Sequence, residues 1–329
     1  MIAGPDAEAG HTMLEQPTLP EHDPHDVAES AVVARLAKNW SQRATVKKPE
    51  PQLDDLFDTT KRDFPDALIP FGEHDTFLGA EPEQQDRLRA WGWIAFNKNV
   101  MDVEQHVVHP GFSLLALDVF ETGMGDTLAV AVTQAMVDEQ YHTLMHLNAS
   151  AATRRGRGWA LSERSLPFSS TVRRQRTAQA KSDDPWSAAI SSLAFMTVAE
   201  ISITSYLDLI EDDDVIQPIN RATVKLHNRD EYCHASIADD MAAIVFDRLG
   251  SNDRQKFLDG LVDGMDAFSS SDFSTWARIL ELEGVRGAEA MIADVEADKS
   301  RRALVQDYSG LRSLCRKLDV EDNIDIDWG

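Results

Sequence analysis

The sequence predicts an all-α protein built on a four-helix bundle, with additional helices on its flanks. Three observations predict it. The pattern Asp-Glu-x-x-His occurs twice, at Asp138-Glu139-Gln140-Tyr141-His142 and at Asp230-Glu231-Tyr232-Cys233-His234. Each copy lies in a stretch free of proline and glycine, long enough for a helix that crosses a domain. Two other long helical stretches each place a single glutamate, Glu104 or Glu200, among apolar residues. Residues three and four apart share a helix face, so His227, Glu231 and His234 form one row. Such a row is costly to bury unless a cation receives it.

Two Glu-x-x-His helices, with one glutamate from each of two further helices, are the recipe for a two-metal site in a ferritin-like four-helix bundle. The chain supplies each part in order. Residues 1–30, rich in proline, acid and small residues with His11, His22 and His25 scattered through them, are expected to form a disordered acidic tail. Residues 31–329 are expected to form one domain. Ala31 to Asn39 has the spacing of a short amphipathic helix, and Lys47 to Ala80, punctuated by Pro49, Pro51, Pro65, Pro70 and Gly72, is expected to wrap the surface.

Glu81 to about His106 reads as the first bundle helix, with Pro82 in its first turn and Leu88, Trp91, Ile94, Ala95, Val100 and Val103 on its stripe. Glu104 falls on that stripe. A lone glutamate at a helix end is more often solvated, but the bundle pattern reverses those odds. Asp126 to about Ala152 carries Glu139 and His142, with His146 one turn on as a core histidine or a partner to a ligand. Arg154 to Lys181 is an arginine-dense connection, whose guanidinium groups are expected to pair with carboxylates of this acidic chain.

Asp184-Pro185 is a cap followed by proline in the first turn, and it starts a helix to about Ile210. Apolar residues surround that helix on nearly every side, so Glu200 at its middle is expected to be buried and to need a partner. After Pro218 comes the second repeat, in a helix ended near Gly250. Further helices are expected over Asp253 to Phe268 and Asp272 to Glu283, then two short ones between Arg286 and Trp328.

Composition narrows the function. Of 329 residues, 43% are hydrophobic and 27% charged, ordinary for a soluble globular protein. A formal net charge of -24 repels phosphate backbones and anionic lipid, which argues against nucleic-acid and membrane partners. Two cysteines give no disulfide framework, and no signal-peptide pattern opens the chain; both fit a cytoplasmic protein. Ser187 to Ile210 is apolar enough to raise a membrane question, but Glu200 and acidic flanks favour a buried bundle helix.

Glu104, Glu139, Glu200 and Glu231 offset the charge of two ferrous ions, and imidazoles suit iron. The expected arrangement has Glu139 and Glu231 bridging, Glu104 and His142 finishing one iron, and Glu200, His227 and His234 finishing the other. Asp138 and Asp230 are placed to accept the other N–H of the ligand histidines across the bundle. Two adjacent irons can activate dioxygen. No flavin, nicotinamide or iron–sulfur pattern is present, so electrons are expected from an external donor. Substrate-pocket candidates, one turn from the ligands, are Val100, Val103, Met136, Met196, Thr197, Ile203 and Leu207.

His227 is one histidine beyond the basic recipe. With it, the chain resembles the arylamine N-oxygenases of antibiotic biosynthesis. The resemblance rests on Ile69-Pro70-Phe71-Gly72-Glu73-His74, Val137-Asp138-Glu139 with His142, the stretch from His227 to His234, Arg286-Gly287-Ala288-Glu289 and Asp307-Tyr308-Ser309-Gly310, and it runs from about Leu68 onward. It implies a soluble homodimer that oxidises an aromatic amine to a nitro group with dioxygen, through hydroxylamine and nitroso stages, in antibiotic biosynthesis of the chloramphenicol type. Two rival readings of the residues stay open. A di-iron C–H hydroxylase or desaturase shares the paired motifs but leaves His227 unexplained. A ferritin-class iron-binding protein fits poorly with the long arginine-rich connection.

Overall fold

The computed structural model describes residues 31–49, 53–123, 125–298, 301, 303–305, 307–324, 326 and 328. The expected tail of residues 1–30 lies outside them. The described residues are helical with no strand. In chain order the helices are α1 (Ala31–Arg43), α2 (Asp75–Leu78), α3 (Pro82–Val103), a π-helical turn (Glu104–Val108), α4 (His109–Ala116), α5 (Asp126–Arg157), α6 (Ser170–Ala180), α7 (Pro185–Glu211), α8 (Pro218–Arg248), α9 (Ser251–Ser269), α10 (Phe273–Leu282), α11 (Ala288–Ala297) and α12 (Ser309–Lys317).

The bundle consists of α3 with its continuation α4, then α5, α7 and α8. Its start and stop signals are local. Asp184 accepts the backbone N–H of Ser187 at 2.9 Å and Pro185 occupies the first turn of α7. Helix α5 runs five residues beyond the expected end at Ala152 and stops at Gly158, whose φ of 70° needs no Cβ to be accommodated. Its amide closes on the carbonyl of Arg154 at 2.9 Å.

Helix α7 is the most enclosed element, packed by α8, α9, α4 and α6. Ile190, Leu193, Phe195, Met196, Val198 and Leu207 are all buried. It is long and apolar enough to cross a membrane, and most of its apolar stretch is covered by its neighbours. Helix α4 can approach α7 so closely because Gly111 faces Met196; a Cβ there would lie 2.4 Å from the Met196 Cβ. Gly111→Ala should therefore lower stability by about 1–3 kcal/mol by pushing the helices apart, read as a lower urea midpoint with an unchanged slope.

Three elements differ from expectation. The first bundle helix does not run straight to His106 but widens into the π turn at Glu104. The Arg154 to Lys181 connection contains α6, begun by Ser169, which caps the amide of Val172. The described residues of the wrap over 47–80 are mostly irregular, as expected, yet end in the single-turn helix α2. The expected arginine–carboxylate pairs are present: Arg154 with Glu163, Arg157 with Asp63, Arg173 with Asp272, and Arg174 with Asp263 and Asp266.

Candidate metal centre

The seven side chains expected to bind metal converge inside the bundle, all of them buried. Glu104 opens the π turn, Glu139 and His142 come from α5, Glu200 from α7, and His227, Glu231 and His234 from α8. They form two groups. One holds Glu104, Glu139, His142, His227 and Glu231; the other holds Glu139, Glu200, Glu231 and His234. Within each group the potential ligand atoms lie within 4.8 Å of one another. Glu139 and Glu231 belong to both.

This grouping corrects one expectation. His227 sits with Glu104 and His142, not with Glu200 and His234. Its Nε2 is 2.7 Å from Glu231 Oε1 and 3.5 Å from Glu104 Oε1, and its ring lies 3.9 Å from that of His142. The reason is helical geometry. His227 and His234 flank Glu231 from opposite directions, and at 1.5 Å per residue they stand roughly 10 Å apart along the axis.

Each histidine turns one nitrogen to the cluster and the other to a buried partner. His142 Nδ1 lies 3.1 Å from both Glu139 and Glu231, while its Nε2 donates to Asp230 at 3.4 Å. His234 Nδ1 lies 2.6 Å from Glu139, while its Nε2 donates to Asp138 at 3.2 Å. Asp138 and Asp230 thus reach across the bundle, each to the histidine of the other repeat. His227 Nδ1 meets His146 Nε2 at 2.9 Å, and His146 Nδ1 meets the side-chain oxygen of Asn97 at 2.6 Å. An N–H facing the Asn97 oxygen leaves His146 Nε2 as an acceptor. His227 then carries its proton on Nδ1 and turns a lone pair on Nε2 to the cluster.

The donor set fits metal cations. Glu104 Oε2, Glu139 Oε1, Glu200 Oε2, both oxygens of Glu231, His227 Nε2 and His234 Nδ1 are buried and make no hydrogen bond. They crowd together at the centre of the cluster, an arrangement that is unfavourable until protons or metal cations occupy the space between. Titration behaviour tells the same story. Burial, then the charge of Glu139, holds Glu104 and Glu200 well above the usual carboxylate range. Burial works against charging His142 and His234, yet Glu139 carries both well above the usual histidine value. His146, buried and beside two other imidazoles, is held well below that value, as a neutral relay requires.

A cleft with about 80 Å³ of space lies between α3, α7, α10 and the approach to α6. Its walls include Phe96, Asn99 and Asp102 from the helix that leads to Glu104, Tyr206 from the helix that carries Glu200, and Phe268 and Trp276. None of the seven pocket candidates lines it. Val100, Val103, Met196, Thr197, Ile203 and Leu207 are buried in the core, and Met136 packs against it. Helical spacing ranked those positions by nearness to the ligands, whereas this cleft runs along other faces of α3 and α7. His109-Pro110-Gly111, a proline and a glycine within an otherwise helical run, is the sequence signal for the π turn.

Fold and site together define a four-helix-bundle protein able to hold metal ions in a shared carboxylate–imidazole cluster. The sequence model of the family described as p-aminobenzoate N-oxygenase AurF matches residues 26–319, and the chain belongs to that family. The chain is 34% identical over 302 residues to the 4-aminobenzoate N-oxygenase of Streptomyces thioluteus, an alignment that covers 91% of this chain and 89% of that one. The protein is an oxygenase.

Proposed function

We propose that this protein is a non-haem di-iron oxygenase that converts an aromatic amine to a nitro compound with dioxygen. The observation that carries the reading is the buried set of four carboxylates and three imidazoles, with ligand atoms that have no hydrogen-bond partner and an acceptor or neutral relay behind every ring. The relative that acts on 4-aminobenzoate supports an arylamine as substrate class. The resemblance supports a homodimer and an antibiotic of the chloramphenicol type as the setting. When bound, two irons supply the activation of dioxygen.

The chain's own residues set the conditions for that chemistry. Asp138, Asp230 and His146 fix ring planes and proton positions, so each histidine offers a lone pair inward. The apolar surface of α7 keeps bulk water from the cluster, which strengthens every charge interaction there. The aromatic walls of the cleft, Phe96 stacked on Tyr206 with ring centroids 4.4 Å apart and Trp276 near by, suit an aryl ring.

Electron counting defines what else is needed. One oxygen atom added to the amine gives a hydroxylamine, loss of two electrons and two protons gives a nitroso compound, and a second oxygen atom gives the nitro group. If two dioxygen molecules each deliver one atom and send the other to water, four electrons are consumed. The hydroxylamine-to-nitroso step returns two, and an external reductase supplies the remaining two.

The direct test loads the protein anaerobically with ferrous iron, admits oxygen and adds a p-aminophenyl compound, with products read by mass spectrometry. Nitro product with two irons per chain is expected. Iron oxidation without any N-oxygenated product, over several amines, would sink the proposal in favour of a C–H oxidase or an iron-storage role.

A further inference from the structure

The aspartates behind the histidines are themselves held, and by one short segment outside the bundle. Helix α1 lies across α5 and α8, and the chain turns at Ala44 into a 3-10 turn over Thr45–Lys47. Trp40 Nε1 donates to both carboxylate oxygens of Asp138, at 2.9 Å each. A few residues on, the backbone N–H of Thr45 donates to both oxygens of Asp230, at 2.9 and 3.3 Å. The Arg43 guanidinium stands 3.8 Å from Asp138. The Thr45 hydroxyl donates to the Leu226 carbonyl and accepts from Arg229, which pins the turn to α8.

A carboxylate that accepts only one hydrogen bond can swing about its last torsion. A donor placed between its two oxygens fixes its plane, and with it the direction in which it accepts from an imidazole. Trp40 does this for the partner of His234, and the Thr45 amide does it for the partner of His142. Those two histidines belong to different groups of the cluster. Both aspartates are buried, so water does not replace either donor.

We propose that the Trp40 indole and the Thr45 amide are positioning groups for the metal centre, and that the segment from Trp40 to Thr45 is a clamp setting both metal positions at once. The inference rests on the metal-binding reading above. It assigns to a segment without any ligand the control of ring orientation at two candidate ligands.

The test titrates the full chain anaerobically with ferrous iron against a chromophoric chelator. Wild type is expected to bind two ions. Trp40→Phe keeps the ring and removes the N–H; it should weaken one ion by about 3- to 10-fold and leave the other unchanged. Asp138→Asn should weaken the same ion by about 10- to 100-fold. The double variant should bind no more weakly than Asp138→Asn alone, because Trp40 acts through Asp138.

Thr45→Pro deletes the other donor, and Ala44, with φ of -57° and ψ of 135°, already has the backbone that a residue before proline prefers. It should weaken the other ion, whereas Thr45→Val, which keeps the N–H, should stay within about 2-fold of wild type. Unchanged binding in Trp40→Phe, or a loss that adds in full to that of Asp138→Asn, would overturn the clamp while leaving the metal centre standing. Failure of the wild type to bind ferrous iron would overturn both. If Thr45→Pro does not fold, the Trp40 cycle decides alone.

Discussion

Replacing His227 with alanine abolishes N-oxygenation, by a factor on the order of 100 or more, while the helical fold persists. Removing a group that merely orients a ligand costs roughly 10- to 100-fold, and His227 stands at the cluster itself, 2.7 Å from a glutamate shared by both groups. The fold persists because the truncation removes repulsion as well as contact. The lost imidazole faced Glu104, Glu231 and His142 without a hydrogen bond on its inner nitrogen. Iron content should fall from two per chain toward one, with the group around Glu200 and His234 retained. Product formation by mass spectrometry and iron per chain by elemental analysis check both halves. Full nitro-forming activity in the variant would remove His227 from the site.

Stripping the metal is expected to produce the largest change in stability. A ligand that binds only the folded state at a thousand-fold excess over its dissociation constant adds about 4 kcal/mol, which for a chain of this size raises the melting temperature on the order of 10 °C. The effect depends on pH with a definite sign. Without metal, Glu104, Glu200, His142 and His234 hold protons more tightly than they do in the unfolded chain. Their favourable contribution is present at low pH and lost as pH rises, from about 4.5 for the glutamates and about 6.5 for the histidines. Metal displaces those protons, so its affinity grows with pH. The gap in melting temperature between loaded and stripped protein should therefore widen from pH 6 to pH 8. Calorimetry at both values, with and without ferrous iron, would show it, and a gap that narrows would refute the proton count.

Much of the site was legible because its chemistry is written in helical spacing. The repeated Asp-Glu-x-x-His fixed two helices and the direction of four candidate ligands, Glu139, His142, Glu231 and His234. Glu200 stood out because one acid on an otherwise apolar helix demands a partner. Even the crossed aspartates could be expected, since each lies next to a glutamate on the face toward the opposite repeat. Spacing along one helix, however, says nothing of what lies opposite, so the partners of His227 emerged only when α5 and the π turn at Glu104 were placed against α8. Helix α6 escaped because its polar, arginine-rich surface has no apolar period. The Trp40 and Thr45 contacts escaped for a different reason. They join residues far apart in the chain through one indole and one backbone amide, and neither leaves a pattern in sequence.

The π turn at Glu104–Val108 makes chain length itself a part of the site. A π turn holds one residue more than the α-helix around it, and the amide of His109 reaches back five residues to the carbonyl of Glu104. Deleting any one residue there would let the helix close into an ordinary one. The amide of His109 would then meet the same Glu104 carbonyl at the ordinary four-residue spacing, so α4 would keep its seat and Gly111 its place against Met196. The change would fall inside the turn, where three residues would fill the span that four fill now. In this stretch the number of residues decides which side chains face the core, and the effect of a deletion is spent inside the turn rather than passed to the helix beyond it.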